Sequence, residues 1–182
     1  YRTDEILNTI KECLDKGWAG MGFKTIEFEE AWKEYTRLPY AHFIASNTVG
    51  LHLALNLFKS KYKWNDGDEI ITTPLTFIST NHSIMYERLK PVFADVDEFL
   101  CLDPKSIEER ITPKTKAIMF VGMGGNAGKL REIKYICEKY NLKLILDAAH
   151  MSGTKIKNVF DGMGYSVEHI GEEADATIFS FQ

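Results

Sequence analysis

The chain is short of cysteine, of long apolar runs and of excess charge of either sign, and each shortage removes a class of function. Its three cysteines, Cys13, Cys101 and Cys137, are far apart and form no C-x-x-C pair. That pattern excludes a disulfide framework and a zinc spacing, and it fits buried thiols in a reducing cytosol. No apolar run approaches the roughly 20 residues that span a bilayer. The opening Tyr1-Arg2-Thr3-Asp4-Glu5 lacks the basic start and apolar stretch of a signal peptide. A formal charge of −4 gives no reason to expect nucleic acid or an anionic membrane as partner. Repeats, low-complexity tracts and linker-like stretches are also lacking, so composition marks no internal boundary.

What is present is a globular composition: 45% apolar and 26% charged over 182 residues, enough chain to bury a core. Ile6, Leu7, Ile10, Cys13 and Leu14 follow the helical period and predict an amphipathic helix ending near Gly17. A polar-rich helix is expected over Thr25 to Arg37, stopped before Pro39. Strands and helices then alternate. Short apolar runs at Ala41–Ala45, Glu69–Thr72, Pro91–Ala94, Ala117–Val121, Leu142–Leu146 and Ala176–Phe181 read as strands. Helical patterns occupy Val49–Phe58, Ile78–Arg88, Pro104–Arg110 and Leu130–Tyr140, with Asp-Gly, Pro and Gly at the joints. Apolar runs without alternation predict strands covered on both faces, hence a three-layer α/β/α sandwich.

In such sheets chemistry collects at the strand C-termini. That rule selects Ser46–Val49, Thr73–Phe77, Gly122–Ala127, Asp147–His150 and Ser180–Gln182. Ser46-Asn47-Thr48-Val49 opens a largely apolar helix whose first N–H groups make a phosphate seat; the plainer reading is N-capping. Asp147 ends a buried strand with no Lys or Arg nearby in sequence. Such a carboxylate needs a cationic or hydrogen-bonding partner, and a protonated pyridine ring would serve; the plainer reading is that it caps the next turn. Phe77 could stack on a flat cofactor or pack in the core. Asp147 and His150 could also be two metal ligands, but no third lies near. Ser180 ends a strand with its hydroxyl available to a phosphate or to the backbone. The order of these features points to pyridoxal phosphate (PLP) more than any one of them does.

That order resembles the DegT/DnrJ/EryC1/StrS family of PLP-dependent aminotransferases, over essentially the entire chain. Gly17-Trp18-Ala19-Gly20-Met21-Gly22 with Phe28-Glu29-Glu30 looks like the family's G-x-x-x-x-G…F-E-E. Ala45-Ser46-Asn47-Thr48 with Leu51-His52-Leu53-Ala54-Leu55 is similar to S-S-G-T-A-A-L-H-L-A-L. Gly67-Asp68-Glu69-Ile70-Ile71 through Thr76-Phe77 matches G-D-E-V-I…T-F, and Pro91-Val92-Phe93-Ala94-Asp95-Val96-Asp97 matches P-V-F-x-D-I-D. Ile111-Thr112-Pro113-Lys114-Thr115-Lys116-Ala117-Ile118 matches I-T-P-x-T-K-A-I. There are departures. Asn47 replaces the usual Gly, a change tolerable because Asn visits left-handed backbone readily. Phe23 follows Gly22 where Pro is common, Gly122-Met123-Gly124-Gly125-Asn126 differs from H-x-Y-G-x-P, and Gln182 stands where His is common.

The resemblance implies a fold-type-I, aspartate-aminotransferase-like large domain over residues 1–182, with a mixed, mostly parallel sheet. It implies PLP as cofactor, no metal, and a cytoplasmic homodimer that moves an amino group, with glutamate the expected donor, to a nucleotide-linked keto-sugar. Asn47, Thr48 and Val49 would approach the phosphate, Phe77 would stack on the ring, and Asp147 would pair with its nitrogen. His150 would lie beside the ring hydroxyl and Ser180 would bind phosphate. The family's Schiff-base lysine comes three residues past Gln182, and its small C-terminal domain lies further on, both outside this chain. Relatives with His in place of that lysine act as sugar dehydratases, and residues 1–182 do not distinguish the two. A reading from another class is an NAD oxidoreductase. Gly122-Met123-Gly124-Gly125-Asn126-Ala127 spells G-x-G-x-x-A ahead of a strand ending in Asp147, although the fingerprint usually sits on the first βαβ unit.

Overall fold

The computed structural model describes residues 2–160 and 164–181. The chain forms two compact units, Tyr1–Phe43 and Ile44–Gln182. In the first, helices α1 (Thr3–Asp15) and α2 (Phe23–Thr36) are tied by the Lys24–Glu12 ion pair at 2.9 Å. Neither helix fully buries an apolar side chain, and Ile6, Leu7, Ile10 and Leu14 are all exposed on α1. After α2 the chain turns at Arg37, whose φ is +61°, and leaves helical geometry before Pro39. The expected strand at Ala41–Ala45 does not form. A strand needs a ladder partner, and here the Phe43 N–H donates instead to the Glu29 carboxylate at 2.7 Å. The Phe43 ring also packs edge-on against Phe28, with centroids 5.3 Å apart.

The second unit is the α/β body. Helix α3 (Asn47–Tyr62) leads to β1 (Glu69–Thr72), followed by α4 (Ile78–Tyr86) and β2 (Lys90–Phe93). Then come α5 (Pro104–Glu108), β3 (Thr115–Val121), α6 (Leu130–Tyr140) and β4 (Lys143–Ala148). A hairpin of β5 (Lys155–Phe160) and β6 (Gly164–His169) precedes β7 (Ala176–Phe179). Five strands make one sheet in the order β2-β1-β3-β4-β7, and every pairing in it is parallel. Their C-termini therefore share one edge.

Strand periodicity sorts the core into two layers. Ile70, Ala117, Met119, Ile145 and Ile178 face Leu51 and Leu55 of α3 and Ile84 of α4. Ile71, Ile118, Phe120, Leu144 and Leu146 face Ile107 of α5 and Leu130, Ile133 and Ile136 of α6. The runs of apolar residues without alternation thus mark strands buried on both faces, in a three-layer sandwich. The β5–β6 hairpin had no counterpart in the sequence reading. It pairs antiparallel outside the main sheet, with only the short Lys155-Ile156-Lys157 alternation as a signal.

Candidate cofactor site

Asp147 is the next-to-last residue of β4 and continues the register of Ile145, so its side chain points toward α3 and α4. It is only 6% exposed, yet no Lys or Arg among the described residues bonds it. Thr80 of α4 donates to Oδ2 at 2.7 Å, while Asn47 of α3 and the Ala149 N–H donate to Oδ1 at 3.2 and 3.3 Å. Burial pushes this carboxyl's pKa up. The Thr80 hydroxyl, the Ala149 N–H, the Asn47 amide and the nearby His150 pull it back, in that order of weight. A carboxylate offers about four acceptor positions. With two filled on Oδ1 and one on Oδ2, protein donors among the described residues leave one, on Oδ2.

Helix α3 brings its N-terminus against β7. Gly50 permits the approach: a Cβ there would meet Ile178 Cγ2 and Ile44 Cδ1, each at 2.7 Å. Asn47 Nδ2 also donates to the Ile178 carbonyl at 3.0 Å, pinning the first turn across β4 and β7. Ser46 caps the helix, accepting from the Val49 N–H at 3.3 Å. The N–H groups of Asn47 and Thr48 have no acceptor among the described residues, and the helix dipole makes this end attractive to an anion. Ser180 follows β7, and its carbonyl accepts from Ser152 Oγ at 3.0 Å.

Phe77 is the N-cap residue of α4, three quarters exposed, one turn ahead of Thr80. His150, exposed after β4, accepts the Gly124 N–H on Nδ1 at 3.2 Å. A neutral ring so bound carries its proton on Nε2, ready to donate to an oxygen. Gly124 and Gly125 both have positive φ, and a Cβ on Gly125 would lie 3.0 Å from the His150 carbonyl. These two glycines let the loop after β3 pass close to His150.

The expected site residues therefore gather at one sheet edge, with three differences. Asn47 is not left-handed; its backbone is helical, and its side chain explains its presence by bonding Asp147. The Val49 N–H is already taken by Ser46, and its side chain is exposed. Thr80 was missed, since its fully buried hydroxyl has no motif in sequence beyond lying three residues after Phe77. The dinucleotide fingerprint does not match the geometry: Met123–Gly125 is a short 3-10 turn and α6 begins only at Leu130. Its glycines thus do not make the tight strand-to-helix turn that cradles a pyrophosphate. Gln182 lies outside the described residues. No group of three metal-ligating side chains occurs among the described residues.

Comparison with known proteins agrees with this geometry. The chain is 36% identical over 178 residues to the spore coat polysaccharide biosynthesis protein SpsC of Bacillus subtilis, covering 97% of this chain. It spans only 43% and 42% of the lengths of the first curated relatives it matches. Among solved structures, NtdA of Bacillus subtilis with bound cofactor PMP is 30% identical, with a TM-score of 0.80, over 96% of this chain and 37% of NtdA. DesI in the presence of its TDP-sugar product is 28% identical, with a TM-score of 0.77, over 99% of this chain and 43% of DesI. Such neighbours put the sheet and its helices in the large domain of fold-type-I PLP enzymes. PLP is the cofactor of this family. A family profile matches all of residues 1–182, so the chain belongs to the DegT/DnrJ/EryC1/StrS aminotransferase family.

Proposed function

We propose that these residues form the PLP-binding part of an aminotransferase that moves an amino group from an amino acid to the keto group of a nucleotide-linked deoxysugar. Glutamate is the expected donor. The observation that carries this reading is Asp147: a buried carboxylate held by neutral donors, with one acceptor position left and no basic side chain bonded to it among the described residues. That donor set fits a protonated ring nitrogen better than it fits a structural role, because a buried charge is costly until a cation joins it. Bound PLP supplies an electron sink for charge developing on the amino acid's α-carbon.

Each side chain has a task in this reading. Asp147 holds the proton on the ring nitrogen. Phe77 offers an exposed aromatic face that fixes the ring plane and excludes water from it. His150, oriented by the Gly124 N–H, donates from Nε2 to the ring oxygen. The N–H groups of Asn47 and Thr48, at the start of α3, bind the phosphate with Ser180, while Val49 closes the same turn against Ser46. The lysine that carries PLP and the small C-terminal domain belong to the protein outside residues 1–182, in line with the share of its relatives that the chain covers. The DesI complex supports a nucleotide-sugar acceptor. A homodimer in the cytoplasm completes the proposal.

The test is the half-reaction. The natural protein carrying these residues is loaded with PLP and given L-glutamate, and the cofactor's absorbance is followed. It should bleach, then return on addition of a nucleotide-linked keto-sugar, with the amino sugar appearing by mass spectrometry. Sugar dehydration without amine exchange would overturn the transaminase reading, as would an absorbance indifferent to every amino acid tried.

A further inference from the structure

Resting on that reading, we propose that Thr80 and Asn47 are positioning residues: a neutral clamp from two helices that fixes the rotation of Asp147 and leaves its charge for the cofactor's ring nitrogen.

The hydrogen bonds form a directed chain. Thr80 has one hydroxyl proton, and it goes to Asp147 Oδ2 at 2.7 Å. In the 2.8 Å contact between Thr76 and Thr80, Thr76 must therefore be the donor. The relay Thr76 to Thr80 to Asp147 runs from the loop that carries Phe77 to the carboxylate, every hydroxyl pointing its proton inward. Thr80 is itself bonded at its N–H, carbonyl and hydroxyl. Its N–H bonds the Phe77 carbonyl at 3.1 Å, its carbonyl accepts from Ser83 at 2.7 Å, and its side chain is wholly buried.

Asn47 holds the other oxygen. Both its amide protons are spent on acceptors, Asp147 Oδ1 at 3.2 Å and the Ile178 carbonyl at 3.0 Å, so a flipped amide would lose both bonds. Ile178 lies opposite Asp147 in the sheet register, which makes the amide a staple between neighbouring strands. Together with the Ala149 N–H, the clamp occupies three acceptor positions and leaves the fourth on Oδ2, beside Thr80. A Lys or Arg in the place of either donor would neutralise the carboxylate and compete with the ring nitrogen. Neutral donors orient the group without spending its charge.

The experiment measures the PLP dissociation constant against pH in the natural protein, for wild type, Asp147→Asn, Thr80→Val, Thr80→Ser and Asn47→Gly. Asp147 must be ionised to pair with a protonated ring, and the donors favour the ionised form. Removing one should weaken binding about ten-fold at neutral pH and move the acid limb of the binding curve to higher pH. Thr80→Ser should restore both. Asn47→Gly should move the limb less, because Oδ1 keeps the Ala149 N–H. General damage to folding would weaken binding without moving the limb, and a limb unmoved in both Thr80→Val and Asn47→Gly overturns the clamp. If Asp147→Asn binds PLP as wild type does, the cofactor reading itself fails. Loss in Asp147→Asn with unchanged profiles in both Thr80→Val and Asn47→Gly would sink the clamp alone.

Discussion

Asp147 carries the largest consequences of any single residue. Its folded-state pKa is raised, so between the unfolded carboxylate's ordinary value and that raised value the native state binds more protons. Stability without cofactor therefore falls as pH rises through that window, and the ionised buried group remains a standing cost above it. Asp147→Asn removes the charge and keeps the shape. In the cofactor-free protein we expect it to be as stable as wild type or more so at neutral pH, with the difference vanishing in acid. Its PLP affinity should fall ten-fold or more, since a hydrogen bond to a charged group contributes about 1.5–3 kcal/mol. Urea unfolding at neutral and acid pH beside a PLP titration checks both halves. A variant less stable at every pH would show that the carboxylate is structural. The thiols have no comparable role: burial pushes Cys137 up to about 12 and also raises Cys101, which keeps both protonated and unreactive.

At the scale of elements, α3 decides whether the site forms. Its apolar residues read as a helix buried on nearly all sides and Ser46 marked its start, but only the face of Gly50, Leu51 and Leu55 is buried. What sequence pattern did not carry is the closeness of its approach to β7, which depends on Gly50. Gly50→Ala would drive a methyl into Ile178 and Ile44, one a buried core residue. We expect it to cost about 1–3 kcal/mol and to lift Asn47 away from Asp147 and the Ile178 carbonyl. Thermal unfolding gives the first effect and weakened PLP binding the second; a variant unchanged in both would mean that the helix has slack. The missing strand at Ala41–Ala45 teaches the converse. A short apolar run does not make a strand when a carboxylate, here Glu29, claims its N–H.

For the molecule as a whole, the exposed apolar surface beside the site matters most. Val49, Leu53 and Leu57 form one stripe along α3, all exposed, and Ile78, Met85 and Tyr86 are exposed on the adjacent α4. A face of this kind next to a functional edge marks an interaction surface, and the proposed homodimer would cover it. Leu53→Glu, one turn beyond Val49 on the same face of α3, should shift the natural protein toward monomer in light-scattering chromatography. An unchanged mass would move the dimer contact elsewhere. No helix among the described residues is long and apolar enough to cross a membrane.

Several features of this protein were determined by sequence alone. Buried parallel strands reveal themselves as apolar runs because both faces are covered, and helices α4 and α6 by their helical pattern. The clustering of the candidate positions also followed, because the strand C-termini of a parallel sheet must share an edge, which put Asn47, Phe77, Asp147, His150 and Ser180 in one region. Only the tertiary structure decided which of them touch. Asn47 and Asp147 are 100 residues apart in sequence, and the turn of one amide toward one carboxylate depends on helix-to-sheet packing that no local pattern encodes. Thr80 stayed invisible for the same reason: a threonine among threonines becomes a site residue only when its hydroxyl is buried against a charge.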